Sequence, residues 1–400
     1  MNQEGELLAE VPARFILHSR NERVCHAADL RKALAAHPRV ASHRHMLAAV
    51  LWLLESVNCA QSFWQPYLSE LPDAVATVDR WNQEELAEVG HTLMLYEMVE
   101  YKKKKIAADY AAILLPFLQE NTQLFGGSIP SEEEYRRALS LVYSRTFDFS
   151  ELIGEHVFIP FVDFLNHSIN DTGKAACTYS YNHDKDCFEL LAGADYDEGE
   201  EVFISYGEKT SSQLLASYGF MYENNAEDTV DITASLFSLS PPHSTSTSTS
   251  TSSSSSSTRR SPPSLKQLTL EDLFFSLKTD QHTGQPFLHA SLLNFIRIQH
   301  LSTEQKACFL TQDLGQRHDL VRSHIIFDDQ NEAETNRFLL SALERMLKAF
   351  PTTIEEDEHL LATCEDLTSG KRWAIRYRKE EKRLLRDYIR AYRRYVGMDS

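Results

Sequence analysis

In FVDFLNHSIN, residues 161–170, an amide and an imidazole stand side by side where an apolar run gives way to a polar turn. A strand that stops there frees backbone N–H and C=O groups, and Asn166 and His167 add side-chain donors and acceptors to them. Further on, EVFISYG (201–207) carries the phenol of Tyr206, a group able to orient a reacting partner or exchange a proton. Taken singly, each residue has a blander role: a His on an apolar stretch is more often a satisfied core residue, and a Tyr in such a run is packing. Their order is what carries information. SRTF (144–147) ends a helical pattern, VDFLNHS (162–168) ends a strand pattern, DEGEEVFISYG (197–207) reads as turn and strand, and LLASYGF (214–220) as helix into turn.

Metal chemistry has weaker support. Sixteen histidines allow a metal-hydrolase reading, with His43 and His45 or His282 and His289 as ligands. None falls in H-E-x-x-H or a comparable helical spacing with an acid to serve as base, so no metal is expected. The six cysteines, Cys25, Cys59, Cys177, Cys187, Cys308 and Cys364, contain no C-x-x-C pair. They indicate neither a zinc ribbon nor a disulfide framework, and reduced thiols of an intracellular compartment are expected.

The elements that must position these residues alternate in blocks. ELLAEVPARFIL (6–17) has the β-propensity and the Pro of short strands. SHRHMLAAVLWLLESV (42–57) predicts a helix with Ser42 as N-cap and Met46, Val50, Leu53, Leu54 and Val57 on one face. A longer helix opens at Asn82, with Glu85 completing a capping box, and runs through Leu86, Val89, Leu93 and Tyr96. Lys102, Lys103, Lys104 and Lys105 read as its solvated face. From Val157 the pattern is of strands: VFIPFVDF, then CTYSYNHDKDCFELLA with NHDKD as a hairpin turn, then EVFISY.

SLSPPHSTSTSTSTSSSSSSTRRSPPS (238–264) is the clearest boundary, since Ser, Thr and Pro there displace the side chains that build a core. It reads as a disordered linker. Beyond it, Leu268–Leu277, Leu292–Ile298, Glu332–Phe350 and Trp373–Val396 each space apolar residues as helices do. The last is rich in Arg, from Arg376 to Arg394, interleaved with Tyr388, Tyr392 and Tyr395, and reads as a solvated or partner-facing helix.

With 400 residues the chain exceeds one ordinary core, which stops growing at roughly 250–300 residues, so about two domains are expected. Hydrophobic residues at 42 % and charged ones at 24 % are the usage of a folded protein. The 58 acids against 40 bases give a net charge of −18, which argues against nucleic acid as the partner and favours basic protein segments. The N-terminus lacks the basic and apolar regions of a signal peptide, and no run is apolar over ~18 residues. No membrane partner is expected, and a monomer in cytoplasm or nucleus is.

The succession of motifs resembles the C-terminal half of a SET-domain protein methyltransferase, most specifically in the N-H pair followed by G-E-E-V-x-I-x-Y-G. More narrowly, the chain resembles the Rubisco large-subunit methyltransferase group, which includes enzymes acting on ribosomal proteins and actin. In that group a helical insert interrupts the SET core and a helical substrate-binding domain follows it. SFWQPYLSELP (62–72) with WNQEEL (81–86) resembles the start of the insert, and RWAIRYRKEEKRLLRDYI (372–389) the last helix of the appended domain. The resemblance implies an α+β fold, with a β-rich SET domain over 1–235, its insert at about 60–135, a linker at 236–265, and an all-α domain over 266–400.

It also implies roles. S-adenosylmethionine would be the cofactor, its carboxylate met by Arg145 through charge-assisted hydrogen bonds and its other polar ends by Asn166 and His167, with Asp163 in the same stretch. Tyr206 matches the catalytic tyrosine. Phe147 and Tyr218 would wall a channel for the target side chain, closed near the cofactor by Gly219 and Phe220. The aromatic at 147 and the small Val162 resemble the lysine-directed members more than the histidine-directed one, so the expected substrate is an exposed lysine of a non-histone protein. Gly5, Glu6, Leu7, Leu8, Val11 and Pro12 match the family's G-E-x-L-L and V-P segment. Only four residues precede Gly5, so the family's N-terminal Gly-rich strand is missing from these 400 residues. That departure keeps in view a SET-like module, catalytically impaired, that holds a protein partner; a protein-histidine methyltransferase is the other alternative.

Overall fold

A computed structural model of the protein describes residues 3–90, 93–149, 153–168, 174–233, 274–280, 283–311 and 326–398. The Ser/Thr-rich segment 238–264 and His282 lie outside the described residues. The chain forms two compact units. One comprises Met1–Glu88, Leu95–Glu227 and Thr368–Ala374, the other Val89–Met94, Asp228–Leu367 and Ile375–Ser400.

The first unit holds seven short strands among its described residues: β1 (Leu7–Pro12), β2 (Thr146–Phe149), β3 (Glu155–Phe158), β4 (Asn166–His167), β5 (Thr178–Asn182), β6 (Cys187–Leu191) and β7 (Phe203–Ile204). Their sheets are small: β1-β6-β5 antiparallel, β2 with β3 antiparallel, and β4 with β7 parallel. The hairpin from β5 to β6 forms as its sequence predicts. Asn182 Oδ1 accepts from the Asp184 and Lys185 amides, and Asp186 takes the left-handed φ of 53° that lets the turn close. Apolar positions of β1, β3, β6 and β7, including Val11, Val157, Phe188, Leu190 and Ile204, gather in one core with Val162.

A second core in this unit is helical. Helices Ala27–Ala36, Arg44–Val57, Leu115–Glu120 and Glu132–Arg145 bury Leu30, Leu47, Leu51, Phe117, Ala138 and Val142. Ser131 and Glu134 form a capping box that starts the helix ending at Arg145. The expected N-cap at Ser42 does not form: Pro38 starts a separate short helix, Pro38–Ser42, and the longer helix begins at Arg44 with His43 at its cap. The capping box at Asn82 is present, since Asn82 Oδ1 accepts from the Glu84 and Glu85 amides and Glu85 Oε2 from the Asn82 amide. That helix nevertheless stops at Glu88, and a new one runs Leu93–Asp109.

In the second unit, β8 (Val230–Thr233) pairs antiparallel with β9 (Phe274–Leu277). The helical reading of Leu268–Leu277 is thereby corrected over 274–277. Phe275 and Leu277 are buried while Ser276 is exposed and bonds Asp231, which is the two-residue period of a strand. Residues 268–273 lie outside the described ones. Helices Ala290–Gln299, Asp329–Ala349 and Ser369–Tyr395, the last belonging to this unit from Ile375 on, agree with the sequence periodicity, and a further helix, Ile354–Thr363, is not among those the periodicity predicts. The Arg-rich helix is less solvated than expected: Leu385, Tyr388 and Tyr392 join the core, and Arg378 and Lys382 are buried against Asp357. Among the described residues no helix is long and apolar enough to cross a membrane.

Candidate active site

Arg145 closes the capped helix Glu132–Arg145, and β2 follows at once. Its Nη1 donates to the Asp163 carbonyl at 2.9 Å and approaches Asp163 Oδ2 at 3.5 Å. The Asp163 side chain has no exposed surface, and its Oδ2 also accepts from the Tyr67 hydroxyl at 2.7 Å. Burial pushes the Asp163 carboxyl up to about 6, against the opposing pull of the Tyr67 hydrogen bond and the Arg145 charge. Two buried polar atoms here have no hydrogen-bond partner among the described residues, Arg145 Nε and Asp163 Oδ1.

The expected strand through 157–165 ends at Phe158. Phe161 takes φ 77°, costly for a bulky residue, and Val162–Phe164 form a single 3-10 turn before β4. This detour brings Leu165 and β4 beside the strand that leads to Tyr206. Asn166 and His167 pair in register with Phe203 and Ile204, so two segments distant in the chain lie side by side. The Tyr206 amide donates to His167 Nδ1 at 3.1 Å, and the Tyr206 hydroxyl donates to the Leu165 carbonyl at 2.7 Å. Burial lowers the His167 pKa, which keeps the ring neutral and Nδ1 an acceptor. Burial pushes the Tyr206 phenol up to about 12.

Aromatic rings surround the phenol. Tyr218 stacks on Tyr206 with centroids 4.6 Å apart, His167 stacks on it at 5.1 Å, and Phe220 meets it edge-on at 6.5 Å. Tyr218 ends the helix Ser211–Tyr218, and Gly219 turns the chain with φ 77°. A Cβ on Gly219 would lie 2.9 Å from the Ala76 carbonyl oxygen, so the close approach requires glycine. A cavity of about 340 Å³ opens beside Tyr206, walled by Phe147, Tyr179, Ile204 and Tyr218, with Asp163 in its lining. Phe147 is held edge-on by Tyr179 and Phe188.

The structure therefore brings Phe147, Asp163, Tyr206 and Tyr218 to one cavity, and ties Arg145 to Asp163 and His167 to Tyr206. The Asn166 side chain turns outward to Glu201 at 2.6 Å. Sequence reasoning gave no role to Tyr67, Tyr179 or the main-chain carbonyl of Leu165, although all three lie in stretches it singled out: SFWQPYLSELP, CTYSYNHDKDCFELLA and FVDFLNHSIN. It missed His156, and it raised His45 only as a metal ligand; the two rings stack at 4.3 Å in the same cavity lining, where burial and the neighbouring ring push His45 down to about 4. The solvated reading of the lysine run fails at Lys102, which is paired with Asp79 at 2.9 Å. Among the described residues one group of metal-ligand type, Glu10, Cys187 and Glu189, comes together, and the Lys185 ammonium already bridges its two carboxylates.

Comparison with known proteins agrees with this architecture. The SET domain family model matches residues 3–207, just over half of the chain, and the Rubisco LSMT substrate-binding model matches residues 264–385. Actin-histidine N-methyltransferases are similar in sequence. That of Homo sapiens is 25 % identical over 368 residues, covering 90 % of this chain and 57 % of its own length. That of Gallus gallus is 25 % identical over 349 residues, covering 85 % and 54 %. The chain thus spans a little over half the length of these curated relatives.

Among solved structures, the SET domain of LSMT bound to lysine and AdoHcy superposes with a TM-score of 0.70 at 19 % identity, covering 99 % of this chain and 84 % of that one. Rubisco LSMT bound to sinefungin and monomethyllysine gives 0.68 at 19 %, covering 100 % and 84 %. At that identity the likeness speaks for the fold. The matched family, the pairing of the two motif segments and the shared architecture lead to one statement: the chain belongs to the SET-domain family.

Proposed function

We propose that the chain transfers a methyl group from S-adenosylmethionine to the side-chain amine of a lysine in a non-histone protein. The observation that carries this reading is the Tyr206 hydroxyl held on the Leu165 carbonyl at the head of an aromatic-walled cavity. When bound, the cofactor supplies an electrophilic methyl carbon on a sulfonium. The residues present suit it: Arg145 keeps an unpartnered buried donor and Asp163 an unpartnered buried carboxylate oxygen, complementary to an amino-acid end that carries both charges. Arg145, Asp163, His167, Gly219 and Phe220 are the residues proposed to hold it, with Asn166 contributing its main chain, since its side chain is engaged by Glu201.

Lysine presents two problems that this site answers. Its amine must be neutral to attack, although free lysine has a pKa of about 10.4. Phe147, Tyr179 and Tyr218 strip water from the methylene stem and the ammonium, and desolvation favours the neutral amine. The amine must also be aimed for in-line displacement. The Tyr206 proton is committed to Leu165, so the phenolic oxygen is left to accept an N–H from the amine and turn its lone pair inward. A phenol pushed to about 12 stays protonated near neutral pH, so Tyr206 acts as orienter and the amine's proton leaves to water.

A second reading is methylation of histidine, favoured by the names of the relatives alone. An imidazole would need a polar partner for its second ring nitrogen, for which the lining offers Asp163, His45 and His156, whereas Phe147, Tyr179 and Tyr218 suit an aliphatic stem. The deciding experiment supplies the full chain with isotopically labelled S-adenosylmethionine and a protein extract, then maps labelled residues by mass spectrometry. Label on lysine is expected. Label on histidine would replace the proposal with the second reading, and no label together with no cofactor binding in calorimetry would leave a protein-binding module.

A further inference from the structure

Four consecutive lysines, Lys102–Lys105, lie on the helix Leu93–Asp109, and two of them are half-buried: Lys103, which donates to the Trp81 carbonyl at 3.2 Å, and Lys102. Lys102 follows Val99 by three residues and precedes Ile106 by four, which puts it on their face of the helix. Val99 is 0 % and Ile106 5 % exposed, so that face is inward. The Lys102 side chain is 18 % exposed, and its ammonium makes three contacts. It pairs with Asp79 Oδ1 at 2.9 Å, donates to the Ala216 carbonyl at 2.7 Å, and lies 4.3 Å from the centre of the Tyr143 ring.

Each partner leads to the cavity. Ala216 is in the last turn of the helix Ser211–Tyr218, where carbonyls lack partners within the helix. A cation there supplies the missing donor and meets the negative end of the helix dipole. Two residues on, Tyr218 stacks on Tyr206. Tyr143 is itself in the cavity lining. Asp79 sits in the short turn Val78–Arg80, on the segment that presents Ala76 to Gly219. One ammonium thus joins the inserted helix to the element that carries the stacking partner of the phenol.

From these contacts we infer that Lys102 is a positioning residue for methyl transfer: it fixes the end of the Ser211–Tyr218 helix, and through Tyr218 the ring plane of Tyr206. The inference rests on the assignment of Tyr206 proposed above. Its chemical sense is that the phenol must keep an oriented lone pair on the amine, and small misplacements of an orienting group cost about 10²-fold in rate.

The test uses the full chain. Lys102→Met alone would strand the buried Asp79 carboxylate, so it is combined with Asp79→Asn, and Lys102→Arg serves as the conservative rescue. In the double variant kcat falls about tenfold or more, while the KM values for cofactor and acceptor stay within about twofold. Lys102→Arg recovers most of the loss. Ring NMR signals of tyrosine-labelled protein report the stack independently of turnover, and those of Tyr206 and Tyr218 shift together in the double variant. Unmoved signals, an unchanged kcat, or a kcat loss that tracks melting temperature without rescue by Arg overturns the inference. Tyr206→Phe, measured alongside, separates the two ideas: if it too is silent, the assignment of the phenol has failed, whereas a crippled Tyr206→Phe beside silent Lys102 variants removes the positioning role alone.

Discussion

The hydroxyl of Tyr206 donates to the main-chain carbonyl of Leu165 across 2.7 Å, joining two segments separated by a hairpin and a turn. Because the acceptor is backbone, its position depends on the turn at Val162–Phe164 and on the pairing of β4 with β7, not on a neighbouring side chain. Tyr206→Phe deletes the hydroxyl and keeps a ring for Tyr218 and His167 to stack on. Turnover is expected to drop by about 10²-fold, the order lost with one catalytic group, while cofactor binding in calorimetry stays nearly unchanged. Retained turnover would remove Tyr206 from the mechanism.

Much of this was legible in the residues. NHDKD carried the chemistry of a tight turn, Asn82 with Glu85 announced a helix start, and the order of motifs pointed to the family. What escaped was of another kind. Leu165 contributes a carbonyl, which every residue has, so its side chain gave no hint. The strand at 274–277 was read as helix because four residues with two apolar neighbours fit either period, and its partner β8 lies across the linker. Lys102 was misread because a run of like charges hides which member falls on the inward face set by Val99 and Ile106.

Asp163 links stability to pH in an unusual direction. Its pKa is raised by burial from 3.8 to about 6, so the folded state binds a proton more readily than the unfolded one. A raised carboxylate stabilises below its unfolded pKa and loses that contribution as pH rises through the folded value, here between about 4 and 6. The span corresponds to about 3 kcal/mol. Asp163→Asn, uncharged at every pH, should lack this component. Denaturant titrations at several pH values should show the parent losing stability relative to the variant as pH rises from 4 to 7. Parallel curves would mean the carboxylate titrates normally.

Gly219 meets two demands at once, a φ of 77° and a Cβ position 2.9 Å from the Ala76 oxygen. Gly219→Ala faces a left-handed conformation that costs roughly 1–2 kcal/mol and a contact with backbone that cannot swing away. A loss of about 2–3 kcal/mol in denaturant unfolding is expected. Because Tyr218 and Phe220 flank the position, kcat should fall as well. A variant with parent stability would show that the segment at Ala76 yields without cost.

The second unit carries its own test in Asp357, whose side chain has no exposed surface and faces two buried cations. Arg378 donates Nε and Nη2 to it at 2.7–3.1 Å, Lys382 pairs with Oδ2 at 2.7 Å, and the Thr352 hydroxyl donates at 2.8 Å. Burial alone would raise the carboxyl, but the hydrogen bonds from Arg378 and Lys382 outweigh it and leave the pKa below 3.8. A depressed carboxylate stabilises above its unfolded pKa and loses that contribution as pH falls through the folded value, so the network fails only in acid below about 4. Asp357→Asn removes the buried charge that Arg378 and Lys382 both face, at a cost of about 3–5 kcal/mol. Since the chain has two compact units, scanning calorimetry should show this loss in one transition, with cofactor-dependent stabilisation of the other retained. Adding Lys382→Met to Asp357→Asn should recover part of the loss, because one buried cation is removed; a double variant less stable than the single would show that Lys382 is held mainly by the Thr352 and Thr353 carbonyls it also reaches.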